Sequence, residues 1–149
     1  MKQEALFRQQ TPSSGVVTAH IDGGARGNPG PAAYGVVIRN GEGKILVELG
    51  EYLGIQTNNF AEYSGLLGAL EYAQKQKLPG LKVFSDSELL VKQMQGLYKV
   101  KNPGLKELFD RARSLARQLQ YFSIEHVLRE RNRDADRLVN KVLDSQKKI

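Results

Sequence analysis

The hydrophobic period of this chain changes once, near Thr57, and that change restricts the fold more than any other feature of the sequence. Before it, apolar residues come in short alternating runs. Val16 to Ile21 leads into Asp22, Tyr34 to Arg39 reads Tyr-Gly-Val-Val-Ile-Arg, and Lys44 to Leu53 alternates again. A period of two belongs to strands, and Asn40-Gly41 marks a hairpin turn between the second and third. The first three strands are therefore expected to form an antiparallel meander, with a Gly/Pro-rich loop after Asp22. Beyond Thr57 the spacing turns helical through Phe60, Tyr63, Leu67 and Leu70, within residues 59–76. Leu81 to Ser85 reads as a short strand bounded by Pro79-Gly80 and Asp86. Helices are predicted over 87–95 and over 103–119, the second opened by Asn102 with Pro103 at its first position. A last strand at 121–128 and a last helix at 133–145 complete an α/β pattern, a mixed sheet with helices packed on it.

A chain of 149 residues fits one domain. Residues 1–15 are polar and end in Thr-Pro-Ser-Ser-Gly, the composition of a flexible tail, which leaves 16–145 as the domain and 146–149 as a C-terminal tail. The first residues lack an apolar signal core, and no apolar run approaches the roughly 20 residues that span a bilayer. A soluble, cytoplasmic monomer without a membrane partner is the expectation. The net charge of +6 and the pI near 9.6 favour a polyanionic partner, with nucleic acid first. The absence of cysteine excludes a disulfide framework and a thiolate metal site, so a metal here must be held by oxygen or by the two histidines.

Four carboxylates stand at the ends of otherwise apolar stretches: Asp22 in HIDGGARGNPG, Glu62 in TNNFAEYSG, Asp86 in VFSDSELL and Asp136 in RNRDADRLVN. Each has an ordinary structural explanation. Asp22 suits a turn before Gly23-Gly24, Asn59 and Glu62 loosely match a capping pair, and Asp86 and Asp136 suit helix N-termini. Together they point elsewhere. Asp22 and Asp86 both leave an apolar strand, the edge where sites collect in sheets with parallel neighbours. Glu62 shares a helix stripe with Gly65, Leu66, Ala69 and Ala73, so its carboxylate faces inward. Converging acids raise one another's pKa values unless a divalent cation neutralises them, and hard Mg²⁺ or Mn²⁺ matches an oxygen-only set. Two Mg²⁺ ions about 4 Å apart are a known device for phosphodiester chemistry. His20 and His126 fall within predicted strands and read as packed or partly exposed histidines, while Asp134 points away from Asp136 and reads as a solvated or capping residue. The glycine-rich stretch Gly23–Gly30 has neither the glycine spacing nor the following helix of a dinucleotide loop.

The segments Asp22-Gly-Gly-Ala-Arg-Gly-Asn-Pro-Gly30, Thr57-Asn-Asn-Phe-Ala-Glu-Tyr63, Asp86-Ser87 and Arg129-Glu-Arg-Asn-Arg-Asp-Ala-Asp136-Arg-Leu-Val-Asn140, in that order across roughly 16–145, resemble type 1 ribonuclease H. The resemblance implies a five-stranded mixed β-sheet flanked by helices. It also implies Mg²⁺-dependent hydrolysis of the RNA strand of an RNA–DNA hybrid by a two-metal-ion mechanism, leaving 5′-phosphate and 3′-hydroxyl ends. It assigns Asp22, Glu62, Asp86 and Asp136 to the metals. The backbone at Gly23 and Gly24 and the Asn28 side chain would face RNA 2′-hydroxyls, Asn58 and Asn59 would reach minor-groove base edges, and Thr57 would hold a DNA phosphate. These roles suit the chemistry: glycine backbone approaches a sugar closely, and amides both donate and accept. The chain departs from the family pattern twice. No basic protrusion interrupts Gly96-Leu-Tyr-Lys-Val-Lys-Asn-Pro-Gly104, so affinity falls to Lys99, Lys101 and Lys106, unless these are only solvated surface. The loop Arg129-Glu-Arg-Asn132 holds no histidine, leaving Arg129 or Glu130 as substitutes. Compact members of this kind extend the expected partners to other RNA-containing duplexes. The competing readings are a non-catalytic nucleic-acid-binding module of the same fold and a metal nuclease acting on DNA.

Overall fold

The expected meander is present in the computed structural model, which describes residues 15–146, as β1 (Thr18–Ala25), β2 (Gly30–Arg39) and β3 (Ile45–Gln56). The two expected tails lie outside the described residues, apart from Gly15 and Gln146. The chain continues through α1 (Asn58–Lys75), β4 (Gly80–Ser85), α2 (Glu88–Met94), α3 (Pro103–Arg117), β5 (Tyr121–His126), a 3₁₀ turn at Arg129–Arg131 and α4 (Arg133–Gln146). The strands form one five-stranded sheet in the order β3-β2-β1-β4-β5. β2 pairs antiparallel with β1 and β3, whereas β1, β4 and β5 run parallel, so the sheet is mixed as expected.

Local chemistry sets the element boundaries. Thr57 Oγ1 accepts from Phe60 N to open α1, Ser87 Oγ accepts from Leu90 N to open α2, and Asn102 Oδ1 accepts from Gly104 N and Leu105 N to open α3. The hairpin turn is longer than a two-residue Asn40-Gly41 turn. Asn40 Oδ1 accepts from both Glu42 N and Lys44 N at 2.9 Å, and Gly43 takes the left-handed conformation at φ 86°. The larger correction concerns the glycine-rich stretch, which is strand at both ends and loop only over residues 26–29. Asp22 faces Gly35, Gly23 faces Tyr34 and Gly24 faces Ala33 in an unbroken ladder. Glycine serves close approach here: a Cβ at Gly23 would collide with the backbone of Ala61 and Glu62, and one at Gly35 with the carbonyl of Ala135.

Alternation along the strands sends side chains to two faces. Ala19, Ile21, Val36, Leu81 and Val83 pack with Leu66 and Leu70 of α1 and Ala112 of α3 in the main core. On the opposite face Ala33 meets Val139 and Leu143 of α4. The sheet is thus held between α1 and α3 on one side and α4 on the other, and Asp22 belongs to the face that α4 covers.

Candidate active site

The parallel ladder between β1 and β4 ends at the pair Ile21↔Ser85, so Asp22 and Asp86 are the next residues on two adjacent strands. Asp86 follows the end of its strand, as the sequence indicates. Asp22 does not, because β1 runs on to Ala25 with only β2 as its partner. Glu62 comes from the second turn of α1, brought against β1 by the missing side chain of Gly23. Carboxylate oxygens of Asp22, Glu62 and Asp86 lie within 4.8 Å of one another. Asp136, in the first turn of α4, lies close enough to Asp22 to raise its pKa and lines the same open cavity of about 520 Å³.

Burial and repulsion dominate the electrostatics. Removal from water, then the charges of Asp86 and Asp136, push the Asp22 carboxyl up to about 8, against a Gly23 backbone hydrogen bond that stabilises its anion. Glu62 is raised well above the usual carboxylate range by burial, then by Asp22 and Asp86, and its Oε1 is buried without a hydrogen-bond partner. Asp86 is raised by burial, with Arg129 and a hydrogen bond from Asn132 working the other way. Hard oxygen donors, mutual repulsion and an unsatisfied buried Oε1 together fit a divalent cation such as Mg²⁺ or Mn²⁺.

The residues expected to bind substrate divide into two groups. Gly23, Gly24 and Asn58 line the cavity with the acids. Asn28, Thr57 and Asn59 are exposed beside it. Asn28 Oδ1 accepts from Asn58 N at 2.9 Å and Asn58 Oδ1 accepts from Ala25 N at 2.8 Å, tying the β1–β2 loop to the start of α1. Thr57 Oγ1 is engaged as the helix cap.

His20 is packed, its ring stacked on Phe84 at 4.9 Å and its pKa lowered by burial, then by Arg39. Asp134 sits outside the site as expected, its carboxylate bound by Arg39 at 2.6 Å and Arg137 at 3.1 Å. His126 departs from the sequence reading. β5 ends there, opposite Ser85, rather than continuing to 128, so the imidazole is exposed and lines the cavity. Asn132 was also missed. It is only 1% exposed, donates Nδ2 to Ile21 O at 2.7 Å, and from the loop before α4 helps to lower the pKa of Asp86. An amide in an Arg-rich loop gives no sign in the sequence of the carbonyl it will meet.

Carboxylates converging where β1 and β4 part, on a sheet ordered β3-β2-β1-β4-β5, define an α/β protein of the ribonuclease H-like fold. The family described as reverse transcriptase-like matches residues 20–142. The chain is 42% identical over 135 residues to Ribonuclease HI of Halobacterium salinarum, covering 91% of this chain and 68% of that protein. It is 44% identical over 130 residues to the bifunctional protein Rv2228c of Mycobacterium tuberculosis, covering 87% of this chain but only 36% of the relative, so it spans about a third of that protein's length. The structure of LC11-RNase H1 in complex with RNA/DNA hybrid superposes with a TM-score of 0.83 at 45% identity, covering 87% of this chain and 98% of the other. The chain belongs to the type 1 ribonuclease H family.

Proposed function

We propose that the chain is a metal-dependent endoribonuclease that hydrolyses the RNA strand of RNA–DNA hybrids and leaves 5′-phosphate and 3′-hydroxyl ends. The observation that carries this reading is the convergence of Asp22, Glu62 and Asp86 within 4.8 Å, with Asp136 beside them. These four carboxylates would hold two Mg²⁺ ions, with Mn²⁺ as substitute, which when bound activate the attacking water and neutralise the leaving oxygen. Relatives named ribonuclease HI and the hybrid-bound LC11-RNase H1 support the choice of substrate.

The remaining work falls to the cavity walls. The backbone at Gly23 and Gly24 faces the RNA 2′-hydroxyls, and Asn28, held by Asn58, sets the height of that loop. Asn58, whose Oδ1 accepts from Ala25 N, presents its Nδ2 to the minor groove beside Asn59, while Thr57 lies at the helix start where a DNA phosphate is accommodated. His126 Nδ1 or Nε2 takes or returns a proton at the rim, a task for which the 129–132 loop offers only Arg129 and Glu130. The protein acts as a cytoplasmic monomer, with other RNA-containing duplexes as secondary substrates.

The deciding experiment incubates a short labelled RNA–DNA hybrid, with matched all-RNA and all-DNA duplexes, in Mg²⁺, Mn²⁺ or EDTA. Metal-dependent cutting of the RNA strand of the hybrid supports the proposal. Binding without cutting in either metal replaces it with a non-catalytic module, and cutting of the all-DNA duplex with a DNA nuclease.

A further inference from the structure

Arg26 stands in the short loop between β1 and β2 and reaches across to α4. Its Nη1 meets Asp144 Oδ1 at 2.9 Å, and its Nη2 donates to Asn140 Oδ1 at 3.2 Å. The other end of the Asn140 carboxamide turns towards the acids: Nδ2 donates to the Asp136 carbonyl at 3.2 Å and to Asp136 Oδ2 at 3.4 Å. Asp136, Asn140 and Asp144 recur every four residues, so one stripe of α4 faces the loop. Arg26 and Asn140 also line the cavity that holds the acids.

The chemistry of the carboxamide makes this chain directional. An amide has one accepting and one donating end, and a guanidinium only donates. While Arg26 occupies Oδ1, Nδ2 must face Asp136. Without Arg26 the amide can rotate and turn its oxygen towards a carboxylate, which repels it.

We propose that Arg26 is a positioning residue which, through the Asn140 carboxamide, holds Asp136 in the orientation needed to help bind the divalent cation, so that the RNA-facing loop and the fourth acid are set together. The inference rests on the reading of Asp136 as a metal ligand given above. The outer pair with Asp144 is a different matter. Its side chains are 34% and 63% exposed, and an exposed ion pair contributes little.

The test is Mn²⁺ titration of the metal-free protein by calorimetry, alongside hybrid binding in EDTA and a melting curve for each variant. Arg26→Ala and Asn140→Ala are each expected to weaken Mn²⁺ binding about tenfold, the lower end for groups that orient a metal ligand. The double variant should be no weaker than Asn140→Ala alone, because both changes break one chain of contacts. Arg26→Lys should recover most of the affinity, since its ammonium also donates to Asn140 Oδ1, and Asp144→Asn should stay within about twofold of the unaltered protein. Unaltered Mn²⁺ binding in folded Arg26→Ala, or additive losses in the double variant, would overturn the proposal. So would a loss of hybrid affinity in EDTA with a normal Mn²⁺ titration, which would make Arg26 a phosphate contact instead. Asp136→Asn separates the two readings: if it binds Mn²⁺ and cuts normally, the metal reading of Asp136 has failed, whereas impairment there with no effect at Arg26 sinks the positioning role alone.

Discussion

Asp22 carries a cost that the metal-free protein bears in full. Its carboxyl titrates near 3.8 in an unstructured chain and about 8 in the fold, so the folded state binds its proton more tightly. The stability that this proton confers is present below about pH 4 and is lost as the pH rises through about 8. Melting curves in EDTA should therefore fall across that window, and Asp22→Asn should both flatten the fall and raise the melting temperature at neutral pH. A lower melting temperature for Asp22→Asn in EDTA would argue against crowding of the acids. The same variant should lose hybrid cleavage in Mg²⁺ while retaining hybrid binding. His126 invites a kinetic prediction: His126→Ala should reduce kcat by about a hundredfold or more at neutral pH with little change in KM, as expected for a lost proton carrier. A kcat equal to that of the unaltered protein would remove His126 from the chemistry. The four acids were legible in the sequence because ionisable groups flanking apolar runs are costly to place without a purpose. His126, Asn132 and Arg26 were not, because each acquires its setting from a distant segment: the end of β4 at Ser85, the carbonyl of Ile21, the third turn of α4.

Helix α1 can deliver Glu62 only because β1 presents bare backbone at Gly23. Gly23→Ala should push the two elements apart, with a stability loss of about 1–3 kcal/mol, the usual range for overpacking. Because Glu62 moves with α1, Mn²⁺ affinity should fall as well. Denaturant unfolding and Mn²⁺ titration of this variant check both halves, and unchanged values for the two would contradict the close approach of α1. The element pattern read from periodicity held throughout, from the meander to α4. The ends of β1 and β2 did not, since Gly23, Gly24 and Gly30 have low strand propensity and reveal their roles only against α1, α4 and the Arg26–Gly27 backbone respectively. β5 erred in the opposite sense: Val127 and Leu128 are good strand residues, but β4 offers them no partner beyond Ser85.

The molecule as a whole combines a net charge of +6 with a cavity that gathers four acids and is also lined by Arg26 and Arg129. Hybrid affinity should fall steeply with salt, and Lys99→Ala with Lys101→Ala should reduce the log–log salt slope by about 2 without changing kcat. Lys106→Ala should matter less, because its Nζ is already paired with Asp110 at 3.0 Å. An unchanged slope in the double variant would make Lys99 and Lys101 ordinary solvated lysines. The placement of Asp136 has another consequence, one of timing. During synthesis the strands and α1, which carry Asp22 and Glu62 and lead into Asp86, emerge from the ribosome before α4, which brings the fourth acid and the cover for the second sheet face. On the proposed function, a nascent chain surrounded by messenger and ribosomal RNA would hold three of the four acids before α4 emerges, and would become competent only once α4 is free to dock.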